Sequence, residues 1–446
     1  MHTPPWNCMN DDATNTAAAG ATVFPVTDFS ELKYKVLNWA SRFSTFCFLD
    51  NHQYQSNWQA EECLLGAGLQ RSLSAQSGNA LSDLAAFTAG NTGWLFGHLG
   101  YDLKNELFSL HSNHPDRVGF PDLFFFEPEI VVRLNKQQME IVAANAGDVY
   151  QAILNTPVVR EPFPTRVPEI QSRFSRSEYL AVMHQLQQHI LRGDCYEINF
   201  CQEFFAENAA ADPVDLFFRL CRVSPNPFAA LYRMQDRWLI CASPERYFRK
   251  AGDKIFSQPI KGTAPRIPGN PQQDAAAIKQ LYESAKDRSE NVMVVDLVRN
   301  DLSKICVDGT VHTDELFKVY SYPQVHQMIS TISGTLLPGT DLAAIVRASF
   351  PMGSMTGAPK KRVLELIEKY ERTRRGMFSG SVGYISPDGT MDFNVVIRSI
   401  LYNASDRYLS FPAGSGITFY AEAEAEWEEC LLKAAAIRKI LEDENA

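Results

Sequence analysis

Long apolar runs are missing from this sequence. Segments such as Leu123 to Phe126 fall far short of the roughly 20 residues that a membrane-spanning helix requires. Met1 to Gly20 has neither the basic start nor the apolar middle of a secretory signal, so a cytoplasmic protein is expected. Positive charge is scarce as well: 42 lysines and arginines stand against 52 aspartates and glutamates, a formal net charge of −10. A mean field of that sign repels polyanions, which excludes general binding to nucleic acid or to an anionic membrane surface. Any anionic substrate must therefore find a local cationic site. The nine cysteines are odd in number and scattered from Cys8 to Cys430 with no CxxC pair. That pattern favours free thiols in a reducing compartment over a disulfide framework or a zinc site. Internal repeats, low-complexity segments and the Walker A spacing of a nucleotide-binding loop are absent too.

What is present is a globular composition: 446 residues, 45% hydrophobic and 21% charged, enough for two or three domains or one large interwoven fold. Up to residue 156, short apolar runs alternate with turn signals. Thr45 to Leu49, Trp94 to Leu99, Leu123 to Phe126, Ile130 to Val132 and Met139 to Ala143 read as strands, with a helix over Phe29 to Arg42. Pro157, Pro162, Pro164 and Pro168 deny a helix and mark an exposed connection, 157–175, between an N-terminal region, 1–156, and a second region, 176–441. In the second region, Arg176 to Arg192 carries apolar residues at helical spacing behind Ser175 and Ser177 as caps. Strands are expected over Ile198 to Phe204, Trp238 to Ala242, Gly380 to Ile385 and Val395 to Tyr402. Long helices are expected over Asp274 to Leu302 and Ala423 to Leu441. The elements mix without regular βαβ alternation, which is the pattern of an α+β fold.

Several residues stand in patterns that suit chemistry. Lys261 sits between Pro259, which stiffens the chain, and Gly262, which lets a ligand approach the backbone. By residue type alone it is a surface lysine in a loop. Asp287 with Glu290, and Glu426 with Glu429, are i, i+3 pairs on two expected helices, so each pair projects from one face. Carboxylates from two helices meeting at one point suit Mg²⁺, which takes a few hard oxygen ligands and keeps some waters. Read singly, each pair is a solvated face, and Glu429 pairs with Lys433 at i+4. Yet Trp427, Leu431, Ala434, Ile437 and Leu441 form that helix's apolar stripe and leave Glu426, Glu429 and Lys433 as a separate one. Glu245, in Ser243-Pro244-Glu245 just past an expected strand, is either an acid in a cleft or a rim charge. Gly353 to Lys360, with Ser354 and Thr356 between glycines, can offer backbone N–H groups to an anion. His326 stands alone, and a lone histidine is more often a satisfied core residue.

In chain order, Gly193-Asp194-Cys195-Tyr196, Ser243-Pro244-Glu245, Pro259 to Thr263, Asp287-Arg288-Ser289-Glu290-Asn291 and Asp296 to Asp301 resemble motifs of one enzyme family. Gly353 to Lys360, Gly380 to Tyr384, Ile397-Arg398 and Ala413-Gly414-Ser415-Gly416 continue the series. The family is that of the chorismate-using anthranilate, aminodeoxychorismate, isochorismate and salicylate synthases, and the resemblance covers most of 176–441. Earlier in the chain, Gly100 to Leu103 is similar to a segment of the family's component I proteins, whereas the tryptophan-pocket segment of anthranilate synthases is not legible near Phe48-Leu49-Asp50.

The resemblance implies two packed antiparallel β-sheets surrounded by helices, with both regions contributing strands. It implies Mg²⁺ held by Glu290 and Glu429, with Asp287 and Glu426 behind them. It also implies chorismate contacts from Thr263, Ser354, Thr356, Tyr384, Arg398, Lys433 and the Gly414, Ser415, Gly416 backbone. Lys261 marks the branch: anthranilate synthases typically have alanine there, and Pro-Ile-Lys-Gly-Thr is similar to the aminodeoxychorismate-forming branch that leads to para-aminobenzoate and folate. At the position of Glu197, isochorismate and salicylate synthases carry a water-activating lysine and anthranilate synthases usually glutamine.

The implied chemistry is attack of Lys261 on ring C2 while Glu245 protonates the departing 4-hydroxyl. Ammonia then adds at C4 and expels the lysine, with His326 at the ring or its hydroxyl. Ammonia is expected from a glutamine amidotransferase subunit, because no such segment is legible in the sequence. An amine that attacks carbon must be neutral, so Lys261 is expected to be unusually acidic. The competing readings are an anthranilate synthase component I and a non-catalytic chorismate-binding homologue.

Overall fold

The computed structural model describes residues 20–54, 62–158, 165–322 and 324–442. Cys8, Pro162 and Pro164 lie outside them. The strands form two antiparallel sheets, one of 12 strands and one of 10, with helices around them. The class is α+β.

Strand alternation decides what each sheet face covers. Along Glu197–Ala206, Ile198, Phe200 and Phe204 join the core under the helices Phe29–Ala40, Arg176–Leu191, Pro213–Val223 and Ala423–Glu442, while Cys201 and Phe205 point to the other sheet. Between the sheets, Tyr232 and Leu239 share a second core with Phe96, Phe125, Phe248 and Phe393. Each such buried side chain contributes about 1.5–3 kcal/mol. Both sheets draw on both ends of the chain: Thr45–Asp50 pairs with Phe228–Met234, and Leu95–Leu99 pairs with Ser381–Ile385. The Arg176–Leu191 helix starts at a capping box between Ser175 and Glu178.

Two elements differ from expectation, and both differences matter for the site. The single helix over Asp274 to Leu302 is two helices, Pro271–Glu283 and Ala285–Ser303. Ser284 between them is extended, and its hydroxyl accepts the Asp287 N–H at 3.3 Å. The apolar pattern runs through this point, but a serine that satisfies a free backbone N–H starts a new helix instead of continuing the old one. The strand expected over Val395 to Tyr402 starts only at Ser399. Met391–Asn394 belongs to the 10-stranded sheet and Ser399–Asn403 to the 12-stranded one.

Residues 395–398 therefore cross from sheet to sheet, with Arg398 at φ 52. Ser243-Pro244-Glu245 makes the reverse crossing, from Arg237–Ser243 to Arg246–Ala251. The two crossings are bonded together. Ser243 Oγ donates to the Val395 carbonyl at 2.6 Å, and the Val395 N–H donates to the Glu245 carbonyl at 3.0 Å.

The eight cysteines among the described residues are free and buried. No helix among those residues is long and apolar enough to cross a membrane.

Candidate active site

Lys261 lies on Ile260–Pro265, at an edge of the 10-stranded sheet, and not in a loop. Pairing slips between Ile260 and Thr263, and Gly262 within the slip has φ 92, a conformation that only glycine adopts without strain. A Cβ at Gly262 would fall 3.0 Å from the Asp287 Cβ, so the glycine lets the Ala285–Ser303 helix lie against the strand. The Lys261 side chain is only 10% exposed and meets a group from the other sheet: its Nζ donates to Glu197 Oε1 at 2.5 Å. Glu197 begins the strand Glu197–Ala206, and Gly416 on the neighbouring strand leaves room for the pair.

The charge state of Lys261 differs from the sequence expectation. Burial pulls its pKa down, but the negative fields of Glu197 and Glu290, the hydrogen bond to Glu197 and the field of Glu245 outweigh that effect. The lysine is held above its ordinary value. The requirement for a neutral amine was read from the chemistry without the carboxylates that the fold places around it. Glu245 is buried and pushed up to about 7 by that burial; the Ser354 hydroxyl, the Lys261 ammonium and the Ile260 N–H pull it only part of the way back. A carboxyl at that value carries a proton near neutral pH and suits a general acid.

The two acidic pairs lie on Ala285–Ser303 and Ala423–Glu442, and a cation stands between the helices. Lys286 Nζ is 3.2 Å from Glu426 Oε1 and 4.0 Å from Glu290 Oε1. Sequence reasoning missed this lysine, although its i, i+4 spacing from Glu290 was visible. Glu429 is paired with Lys433 at 2.7 Å, and Lys433 also donates to the Gly414 carbonyl at 2.8 Å. Among the described residues, no group of three or more His, Cys, Asp or Glu side chains is closed into a metal site. The donors nonetheless fit Mg²⁺. Glu290 Oε1 and Glu426 Oε2 are buried carboxylate oxygens without hydrogen bonds, and the Lys286 ammonium already brings positive charge to both side chains. Glu290 is pushed up to about 7, by burial first, with Lys261 and Lys286 opposing the rise and Glu197 and Asp287 adding to it.

Arg398 is half-buried on its crossing, and among the described residues no carboxylate lies within ion-pair distance of its guanidinium. Burial pulls its pKa down, and Glu429 restores it in part. Such a guanidinium suits a carboxylate ligand. Ser354 lines a cavity with Glu245, Pro259 and Gly353, and Ser415 is fully buried. Other expected contacts are held differently. Thr356 donates its hydroxyl to the Met352 carbonyl at 3.1 Å, and Thr263 is exposed. His326 bonds Asp274 through Nε2 at 3.0 Å and Ser321 through Nδ1 at 2.8 Å, so both ring nitrogens are engaged by protein. Tyr384 packs on Trp94, with ring centroids 5.7 Å apart, and lines a different cavity, with Asp50 and Phe228.

Arg375 was also not foreseen. Buried, it bonds the carbonyls of Met355 and Asn199, the Ser379 hydroxyl and the Glu371 carboxylate, fixing the Gly353–Met355 turn against the strand that carries Glu197.

Comparison with known proteins places the chain in a family. Residues 41–439 match the family model described as chorismate binding enzyme. Aminodeoxychorismate synthase component 1 of Escherichia coli (strain K12) is 35% identical over 354 residues, covering 78% of this chain and 77% of that protein. The Salmonella typhimurium protein of the same name is 36% identical over 358 residues, covering 79% and 77%. In fold, the crystal structure of anthranilate synthase component I from Streptococcus pneumoniae TIGR4 superposes with a TM-score of 0.75 at 21% identity, covering 87% of this chain and 95% of that one. The chain belongs to the chorismate binding enzymes.

Proposed function

We propose that this chain is the aminating subunit of an aminodeoxychorismate synthase, converting chorismate and ammonia to 4-amino-4-deoxychorismate. The observation that carries the reading is a lysine, Lys261, with a side chain only 10% exposed, beside a buried carboxyl, Glu245, whose pKa of about 7 lets it deliver a proton. The names of the relatives support the same reaction. Lys261 forms a bond to ring C2 as Glu245 protonates the 4-hydroxyl and water leaves; ammonia then adds at C4 and the lysine departs. Arg398 and the backbone of Gly414, Ser415 and Gly416 receive the enolpyruvyl carboxylate. Glu290 and Glu429, with Asp287 and Glu426 behind them, would hold Mg²⁺, which supplies positive charge against the ring carboxylate. Lys286 then leaves the carboxylates for solvent, to which its side chain is already 47% exposed. A glutamine amidotransferase subunit supplies the ammonia, and a cytoplasmic setting belongs to the same reading. The test is product identity. Chorismate, Mg²⁺ and an ammonium salt should yield 4-amino-4-deoxychorismate, and glutamine should replace ammonium only after the partner subunit is added. Fluorescent anthranilate formed without any added lyase would contradict the proposal.

A further inference from the structure

We propose that Glu197 is the proton acceptor of Lys261, the group that converts its resting ammonium into the attacking amine; this rests on the functional reading above and deepens it. The geometry selects Glu197. It comes from the sheet opposite Lys261, and its Oε1 receives the lysine's proton at 2.5 Å. Glu245 on the sheet crossing, Glu290 on one helix and Glu429 on the other also act on this ammonium, but only Glu197 is hydrogen-bonded to it among the described residues.

A purely structural role accounts poorly for the pair. Burying two charges costs desolvation that a pair of apolar side chains would avoid. Glu197 also holds nothing else in place, since its second oxygen, Oε2, is buried without a hydrogen bond. Gly416, whose Cβ would fall 2.8 Å from Glu197 Oε1 and 3.0 Å from Lys261 Nζ, keeps space around both reacting groups.

The step balances within the site. A proton passes from Lys261 Nζ to Glu197 Oε1, and the freed lone pair bonds to ring C2. The ring double bonds shift, and the C4–O bond breaks as Glu245 supplies the proton that makes water the leaving group. When ammonia bonds to C4, the C2–N bond breaks with its electron pair returning to nitrogen. Glu197 gives its proton back to Lys261, and the proton shed by the new ammonium at C4 restores Glu245. The pair keeps one proton throughout, so it needs no exchange with solvent.

The experiment compares rates of the chorismate-dependent mass adduct on Lys261 in the wild type, Glu197→Gln and Glu197→Asp, with circular dichroism to check folding. Glu197→Gln should slow adduct formation about 10²-fold or more at about pH 6. At saturating Mg²⁺ its rate should climb about tenfold per pH unit between about pH 5.5 and 6.5, because the proton must now leave to water, whereas the wild-type rate stays nearly level there. Glu197→Asp, which keeps a carboxylate, should restore the level profile at a lower rate. A Glu197→Gln profile that is level, whether slowed or not, would overturn this inference alone. A wild type that forms no adduct would overturn the functional reading and this inference with it.

Discussion

Gly416 lies against Lys261: a β-carbon on this glycine would fall 3.0 Å from the lysine Nζ and 2.8 Å from Glu197 Oε1. Both neighbours are ends of side chains, so alanine fits only by pushing the pair aside. Gly416→Ala is expected to fold normally and to lower kcat about 10²-fold, the cost of misplacing a reacting group by about 1 Å. Steady-state kinetics beside a thermal melt check this, and unchanged kcat would show that the position of Lys261 is not critical.

Burial holds Glu245 at about 7, above the ordinary carboxyl value of 4.5. As the acid for the departing hydroxyl it must be protonated, so turnover should fall as pH rises through about 7, and Glu245→Gln should lose 10²- to 10⁴-fold in kcat. A raised folded pKa also stabilises the fold fully below the unfolded value and loses that contribution as pH rises through the folded one. Glu245→Gln should therefore gain stability relative to wild type between about pH 5 and 8, by up to roughly 3 kcal/mol. Denaturant titrations at the two ends of that range decide it; an equal difference at both would refute the assignment.

The Lys286 ammonium occupies the approach to Glu290 and Glu426, and a metal must displace it. Lys286→Gln should tighten Mg²⁺ binding about fivefold, the worth of roughly one exposed charge pair. Protons compete as well, because Glu290 is held at about 7, so affinity should rise with pH through that value in the wild type and lose the dependence in Glu290→Gln. Calorimetric titration of Mg²⁺ at two pH values measures both, and pH-independent wild-type binding would contradict the ligand assignment.

Ser284 ends one helix and caps the next, placing Asp287 in the first turn of Ala285–Ser303 and Glu290 in the second. Ser284→Ala should destabilise the protein by about 1 kcal/mol, as loss of an N-cap does. Urea unfolding tests this, and no change would mean that the helix start is fixed by packing alone.

The fold class was legible because strand alternation and helical spacing are local signals. The ends of the Arg176–Leu191 helix were fixed by Ser175 and Gly193, residues whose chemistry is local too. The break at Ser284 and the crossing at 395–398 were not legible. In each case the apolar pattern continues through the point where the chain changes direction, and only pairing with a distant strand or a cap reveals the turn. The candidate residues were legible one by one, through the ordered motifs. Their electrostatics were not: the raised value of Lys261 follows from Glu197, 64 residues away in sequence, and Lys286 gains meaning only when Glu426 arrives from the last helix. His326 carried a role implied by the family resemblance alone, and Asp274 and Ser321 take both of its nitrogens.

The central claim is that Lys261 attacks the ring itself, and intact-protein mass spectrometry with product analysis reaches it most directly. Wild-type protein with chorismate and Mg²⁺ should gain the mass of a chorismate-derived ring, mapped to Lys261, and release 4-amino-4-deoxychorismate once ammonium is added. Lys261→Ala should show no adduct and slower turnover, with direct attack of ammonia at C2 becoming open to it. Lys261→Ala protein that makes 4-amino-4-deoxychorismate at the wild-type rate would contradict the account and leave Lys261 as a positioning charge.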